Sequence, residues 1–238
     1  MVVNRLAQDE LLIIDGYRRT MPMPGKLDKP EPRWQAILAL IAVGGIYTAL
    51  PRELSVGPSW LLFVVVMTLL VPTVVAHRTG RHPLNHLLGI INNSVITAAL
   101  VGSVALLVAG LPNHKEAPRP LLLSAAALWL TNVLTFALWY WRLDGGGPFA
   151  RHRGGLYGSR AFLFPQMQIE PSERTALGVE GWSPGFVEYL FMAFNTSTAF
   201  SPTDTPVLQP WAKLLNIVQS IISLTIVAVL VSRAVGVL

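Results

Sequence analysis

The sequence predicts an all-α fold, a polytopic transmembrane helical bundle with four full spans, a short re-entrant or half helix and a long C-terminal transmembrane helix. Three observations support this prediction. Hydrophobic residues make up 52% of the 238 residues and charged residues only 13%, and the mean hydropathy is +0.50, which is too apolar for an ordinary soluble domain. The apolar residues also fall in blocks. Most Lys and Arg residues lie between the blocks, as membrane topology demands.

Residues 1–33 precede the first block and are predicted to form a cytoplasmic amphipathic segment and linker. Residues 2–17 mix apolar and charged side chains, which suits a short helix on the membrane surface or against a partner. A loosely ordered polar leader fits the same pattern. Residues 18–33 are rich in proline and charge, so we expect an extended linker. Four acids interrupt any apolar core, so no cleavable signal is expected; they are Asp9, Glu10, Asp15 and Asp28.

Residues 34–141 are predicted to form a scaffold of four spans, at 34–50, 60–76, 87–111 and 121–141. The first two open with Trp34 and Trp60, which suit the headgroup boundary. The only acids between Trp34 and Trp141 lie in loops, so these spans carry no group for proton relay or cation binding. Their polar residues favour helix packing; they are Asn92, Asn93, Thr97, Ser124, Thr131, Asn132 and Thr135.

Loop charges predict the orientation. One side would carry Arg5, Arg18, Arg19, Lys26, Lys29, Arg33, Arg78, Arg81, Arg142, Arg151, Arg153, Arg160 and Arg174, against Arg52, Lys115 and Arg119 on the other. The positive-inside rule therefore places the N-terminus and the loop at 142–182 in the cytoplasm. That loop opens with residues 144–148, Asp-Gly-Gly-Gly-Pro, which we interpret as a flexible turn because it lacks the strand and helix context of a phosphate-binding loop.

Several kinds of chemistry are not expected. The chain has no cysteine, which excludes disulfides and thiolate sites. The histidines at 77, 82 and 86 lack a nearby carboxylate and Pro83 separates the last two, so we predict no metal and no cofactor. A basic patch facing anionic lipid headgroups is the better interpretation. Nucleic-acid binding is not expected despite the pI of 9.9, because the cations do not share one soluble face.

Residues 183–238 carry polar groups at positions where a membrane protein has them only for a structural or functional purpose. Residues 186–200 are apolar, but as a helix they would reach only about 22 Å, short of the bilayer core of about 30 Å. Glu188 lies near its start, and a polar run follows that could replace water around a cation: Asn195, Thr196, Ser197, Thr198, Ser201, Thr203 and Asp204. A half helix followed by such a run indicates a re-entrant pore loop, because non-helical backbone at membrane depth must be buried or face water.

The last helix is predicted from about Val207 to Val237, with Thr205 as its cap and Pro206 at its first position. It carries a polar stripe at spacings of three and four, namely Lys213, Asn216, Gln219, Ser220 and Ser223. The last four are predicted to face the pore. Such a stripe faces protein or water rather than lipid.

This order of short helix, Thr/Ser-rich turn, Asp, Pro and long helix resembles the pore module of the two-helix potassium-channel superfamily. Aligning Asp204 with the Asp that follows that family's filter matches only Thr198, and both filter glycines are absent. The resemblance thus implies a pore loop without a potassium-selective filter. The C-terminal 100 residues or so also resemble a family of uncharacterised bacterial, often actinobacterial, integral membrane proteins with a Gly-rich turn after a Trp/Tyr belt and a Ser/Thr-Asp-Thr motif. That resemblance implies a multi-pass protein of the bacterial plasma membrane.

Two topologies and three function classes follow. The segment at 186–204 either re-enters on the cytoplasmic face or crosses in stretched form, and Arg233 favours the crossing. The first class is a homo-oligomeric conduit for monovalent cations, constricted at residues 195–204. The second is a structural or accessory subunit in which Asp204 only stabilises a helix end. The third, an intramembrane enzyme, lacks a base to pair with Ser197 or Ser201, so no catalytic residue is predicted.

Overall fold

A computed structural model describes residues 31–110, 118–154, 160–199 and 204–235. The described chain is helical, and its single β-bridge pairs Phe162 with Val207. The seven α-helices are α1 (Trp34–Thr48), α2 (Ser59–Arg78), α3 (His82–Ala109), α4 (Pro118–Leu143), the short α5 (Pro148–Gly154), α6 (Phe186–Ala199) and α7 (Pro210–Val235). The predicted N-terminal helix at 2–17, the linker up to residue 30, and Ser201 and Thr203 lie outside the described residues.

Four helices, α2, α3, α4 and α7, are long and apolar enough to cross a membrane, which is consistent with a multi-pass membrane protein. The sequence predicts the second, third and fourth spans and the long final helix correctly. The predicted first span forms the shorter α1 of 15 residues, which reaches about 22 Å. Pro72 lies inside α2, which continues as a helix through this position.

Helix α4 lies at the centre of the bundle. About 61% of its span is buried, against 28% for α2 and 33% for α7. Its fully buried side chains include Leu128, Phe136 and Tyr140, which belong to one continuous apolar core. Helices α1, α3, α6 and α7 all contact α4, so any rearrangement of this helix would disturb each of them.

One end of the bundle gathers the start of α1, the end of α4 and the starts of α6 and α7; we call it the Asp144 end. Trp141, in the last turn of α4, donates a hydrogen bond to Glu31 before α1 and packs edge-on against Phe186 at the start of α6. Trp211 at the start of α7 contacts Phe162. The opposite end holds the turn between α1 and α2.

Helix α6 runs antiparallel to α4, and the chain then returns to the Asp144 end. Residues 206–208 pair with residues 161–163: Leu163 N–H donates to the Pro206 carbonyl at 3.0 Å, and Leu208 N–H donates to the Ala161 carbonyl at 2.7 Å. These pairs lie beside the start of α6, so residues 206–208 lie at the end of the bundle at which α6 begins. The extended pairing also means that α7 begins at Pro210 rather than at Val207, with Pro210 in the first helical position.

Candidate functional site

The polar face of α6 is held against α4 and α7 by Gln219, which is fully buried. Its Nε2 donates to the Ala193 carbonyl at 2.7 Å and to Ser197 Oγ at 2.8 Å. Its Oε1 accepts a hydrogen bond from the Tyr140 hydroxyl at 2.5 Å. All hydrogen-bonding atoms of the side-chain amide are therefore engaged on two other helices, which fixes the depth of α6 relative to both.

Ser197 is the point at which three helices meet. Asn132 Nδ2 on α4 lies 3.4 Å from Ser197 Oγ and 3.3 Å from the Gln219 carbonyl. Ser223 Oγ donates to the Ser197 carbonyl at 2.7 Å, and Trp129 Nε1 donates to Ser223 Oγ at 3.1 Å. Since the last four carbonyls of a helix have no partner within it, Ser223 satisfies one that would otherwise be open at the end of α6.

The structure places the predicted site residues in two groups. The interior group lies between helices of the same chain and comprises Thr196, Ser197, Asn216, Gln219 and Ser223. The outer group comprises the half-buried Asn195 and Ser220 and the exposed Thr198 and Asp204. The interior hydroxyls and amides thus face protein in the single chain, whereas Thr198 and Asp204 remain accessible. Within the described chain, Asn216, Gln219 and Ser223 of the stripe on α7 are buried against protein, whereas Ser220 is half-buried and Lys213 is exposed.

Glu188 has a local structural role at the start of α6. Its Oε2 accepts a hydrogen bond from Gly185 N–H at 2.9 Å. Gly185 directly precedes the helix and Glu188 is its third residue, so this is the carboxylate half of a capping box. An acid in this first turn also interacts favourably with the positive end of the helix dipole.

Asp144 forms a second buried site, directly after α4. Its side chain is 0% exposed. Oδ1 accepts a hydrogen bond from Ala161 N–H at 2.6 Å, Oδ2 accepts one from the Tyr189 hydroxyl at 2.6 Å, and the Arg160 guanidinium lies 3.5 Å away. One carboxylate therefore ties the end of α4 to α6 and to the strand-like segment that receives residues 206–208.

Arg151 connects this site to the residues before α1. Its Nε and Nη2 both donate to the Glu31 carboxylate at 2.8 Å, a bidentate pair of the stronger kind. Its Nη1 donates to the carbonyls of Trp141 and Asp144 at 2.6 and 2.7 Å. Its guanidinium also lies 5.0 Å from the centre of the Tyr189 ring. We call Glu31, Asp144, Arg151, Arg160 and Tyr189 the Asp144 network.

The glycines after Asp144 allow this geometry. Gly145, Gly146 and Gly147 all have positive φ, at 57°, 76° and 91°. A methyl group at position 147 would lie 2.8 Å from the Arg142 carbonyl oxygen, and one at 145 would lie 2.8 Å from Arg151 Cγ. Only glycine accepts both a positive φ and an approach this close to neighbouring atoms. The turn that is predicted to be flexible is tightly folded in the structure.

Electrostatics at this end are dominated by cations. Burial lowers the pKa of Arg33, and this effect is opposed by Glu31 and reinforced by Arg151. Burial alone would lower the pKa of Arg151, but Tyr189, Glu31 and Asp144 outweigh it and raise that pKa. Both guanidinium groups stay charged at neutral pH.

Sequence reasoning missed the Asp144 network. The available signal was Asp144 itself, an acid placed directly after an apolar span and followed by three glycines, which is the composition of a turn with positive φ. Nothing in the linear order pairs it with Tyr189 or Arg160. Asn132 was assigned to helix packing, and its bonds to α6 and α7 place it there.

The histidines do not assemble a metal site in the described part of the chain, where no group of three or more His, Asp or Glu side chains could hold an ion. His82 instead stacks on Phe149, with ring centroids 3.4 Å apart. Among the described residues, the contacts of Ser197 Oγ are amides and include no base that could activate it.

Comparison with known proteins adds no relative from which a role could be transferred. Searches of protein-family models, curated proteins and solved structures found no match to this chain. The candidate site is therefore defined by its own geometry: a half-length helix whose inner face is bonded to the bundle and whose outer face carries the exposed Thr198, with the exposed Asp204 in the segment that follows.

Proposed function

We propose that the protein is a homo-oligomeric, channel-like conduit for monovalent cations in the bacterial plasma membrane. In this topology the N-terminus and the loop at 142–182 are cytoplasmic, and α2, α3, α4 and α7 span the bilayer. The short α1 spans it together with the residues that flank it, and α6 re-enters from the cytoplasmic face. The resemblance to potassium-channel pore modules and to uncharacterised bacterial membrane proteins is part of the same proposal. The passage lies on the outer face of α6 and is bounded by Asn195, Thr198 and Asp204.

The observation that carries this proposal is the position at which α6 ends. Its 14 residues reach about 21 Å, less than the bilayer core of about 30 Å. Ser197 lies at the depth of Asn132 and Ser223, because it bonds Asn132 directly and its carbonyl bonds Ser223. This depth within the bundle supports a last turn of α6 that ends inside the membrane, with Thr198 and Ala199 exposed in the single chain.

Exposed backbone ends are not tolerated in lipid, where each unsatisfied polar group costs several kcal/mol. In the proposed topology another subunit or a water-filled passage covers the end of α6. The carbonyl end of a helix carries a partial negative charge, and half-helix ends of this polarity coordinate cations in transporters. A cation is accordingly the favoured occupant.

Asp204 is assigned to the mouth of this passage rather than to its constriction. It lies two residues before Pro206, which pairs with Leu163 at the Asp144 end, so its Cα is within about 7.6 Å of that of Pro206. An exposed acid at a mouth raises the local cation concentration, and this effect is screened by salt.

The proposal predicts that Asp204→Asn lowers cation flux in proteoliposomes about two- to fivefold at low ionic strength, with little change at high salt, because the Debye length falls from about 30 Å at 0.01 M to about 3 Å at 1 M. The measurement is tracer uptake of monovalent cations by sealed vesicles. Glu173→Gln is the matched control, since Glu173 is also exposed and lies in the loop before α6. Absence of flux in every monovalent salt would refute the conduit, and an unchanged low-salt flux in Asp204→Asn would refute the role of Asp204.

A structural or accessory subunit is the second candidate. The specific observation in its favour is that the polar side chains of four residues already make hydrogen bonds within the chain, namely Thr196, Ser197, Gln219 and Ser223. A partner that co-purifies in fixed stoichiometry, together with no flux from the protein alone, would select this candidate.

A further inference from the structure

Arg142, in the last turn of α4, is a buried cation whose position depends on a glycine of α3. Its side chain is only 7% exposed, and its guanidinium lies directly over Gly89. A methyl group at position 89 would lie 1.9 Å from Arg142 Cζ. The two helices therefore leave space at this point for one guanidinium and for no larger residue at 89.

Among the described residues, this guanidinium has no carboxylate partner such as the other two buried arginines have. Arg151 lies 2.8 Å from Glu31 and Arg160 lies 3.5 Å from Asp144. Among the described residues, Arg142 instead makes one hydrogen bond, from Nη1 to the Asn85 carbonyl at 3.2 Å, and lies 5.5 Å from the Trp141 ring centroid. The other four of its five N–H donors make no hydrogen bond to a described residue. Buried charges are normally paired, because an uncompensated one is strongly destabilising.

Among the described residues, an imidazole and a second guanidinium lie near Arg142. His86 follows Asn85 on α3. A methyl group at position 147 would lie 3.6 Å from His86 Nδ1 and 2.8 Å from the Arg142 carbonyl oxygen, so the imidazole lies close to the backbone of Arg142. Arg33 lies two residues after Glu31, whose carboxylate accepts a hydrogen bond from Trp141, the residue before Arg142, and it is within electrostatic range of Arg142. We call Arg33, His86 and Arg142 the basic cluster. Glu31 and Asp144, the buried carboxylates at this end, are already bonded within the Asp144 network.

We propose that the basic cluster binds a phosphate-class oxyanion, either the headgroup phosphate of an anionic phospholipid or a free phosphate. A guanidinium matches phosphate geometry through two parallel N–H donors. Basic groups between spans at the cytoplasmic side are a recognised arrangement for anionic lipids. This site is separate from the passage on the outer face of α6.

The test is a binding titration of the purified full-length protein in a neutral detergent. Thermal unfolding is followed while phosphatidylglycerol, phosphatidylcholine or inorganic phosphate is added. We expect phosphatidylglycerol to raise the Tm saturably and phosphatidylcholine to leave it unchanged. Arg33→Gln and Arg142→Lys should each weaken the apparent affinity by about tenfold or more, because each removes a charge or the bidentate geometry.

Arg78→Gln and Arg81→Gln are the matched controls, since both arginines are exposed at the same end, and they should retain wild-type affinity. Inorganic phosphate that competes with the phosphatidylglycerol effect would assign the site to a free anion, and its failure to compete would assign the site to the lipid. The proposal is overturned if no anion raises the Tm, if Arg33→Gln retains the wild-type affinity, or if the control variants lose affinity equally. Arg33 is only half-buried, so its variant tests binding even if Arg142→Lys fails to fold.

Discussion

Replacing Asp144 with alanine is expected to lower the free energy of unfolding by about 3 to 5 kcal/mol, the cost of breaking a buried ion pair by removing one partner. The carboxylate is fully buried and accepts hydrogen bonds from Ala161 N–H and the Tyr189 hydroxyl. Both donors would lose their acceptor, and Arg160 would lose this carboxylate. The measurement is equilibrium unfolding in mixtures of a mild detergent and SDS.

Two variants make the Asp144 result specific. Asp144→Asn keeps an acceptor of similar size but removes the charge, so we expect an intermediate loss. Asp204→Ala removes an exposed acid and should change stability by no more than about 0.5 kcal/mol. A loss below about 1 kcal/mol for Asp144→Ala, within the usual range of ordinary substitutions, would contradict the Asp144 network as the tie between α4 and α6.

Gln219→Leu is the second substitution with a large expected effect, a loss of about 2 to 3 kcal/mol. Leucine has a similar size but leaves the Tyr140 hydroxyl, the Ala193 carbonyl and Ser197 Oγ without their amide partner. Buried groups that lose a partner cost more than the bond itself contributed. The same unfolding measurement applies.

Ser220→Ala is the matched control for Gln219, because Ser220 is its neighbour on α7 and is half-buried; we expect its stability to stay near that of the wild type. A double-mutant cycle with Tyr140→Phe then isolates the pair. If Gln219→Leu and Tyr140→Phe prove additive, the Tyr140–Gln219 hydrogen bond does not contribute to stability in the membrane protein and this part of the account is wrong.

The helical scaffold could be predicted from the sequence because long apolar blocks have only one stable form in a bilayer. The spans ending near Trp141 and beginning near Pro210 are of this kind. The shortness of α6 was also predictable, since the polar run from Asn195 interrupts its apolar residues. The direction in which the polar residues point could not be predicted, because a stripe containing Gln219 and Ser223 fits a protein-facing or a water-facing helix equally well.

The return of the chain to the Asp144 end depends on contacts between residues far apart in sequence. Three backbone positions around Val207 pair with those around Phe162. Neither stretch has the alternating hydrophobicity that predicts a strand. By the positive-inside rule, Arg233 favours a crossing. In the structure, the packing of Trp211 on Phe162 and the backbone pairing beside it hold residues 206–208 at the Asp144 end. Asp144 was likewise hidden, because Gly-rich turns are indistinguishable in sequence from flexible ones.

The most direct test of the central claim asks on which side of the membrane Asp204 lies. The chain contains no cysteine, so single cysteines can be introduced without background as Asp204→Cys, Glu173→Cys at the Asp144 end and Glu53→Cys at the opposite end. The measurement is labelling by a membrane-impermeant maleimide in sealed vesicles of one orientation. The account predicts that Asp204→Cys is labelled together with Glu173→Cys and from the side opposite to Glu53→Cys. Labelling of Asp204→Cys together with Glu53→Cys would mean that the segment crosses the membrane, and would contradict the re-entrant half helix on which the proposed function rests.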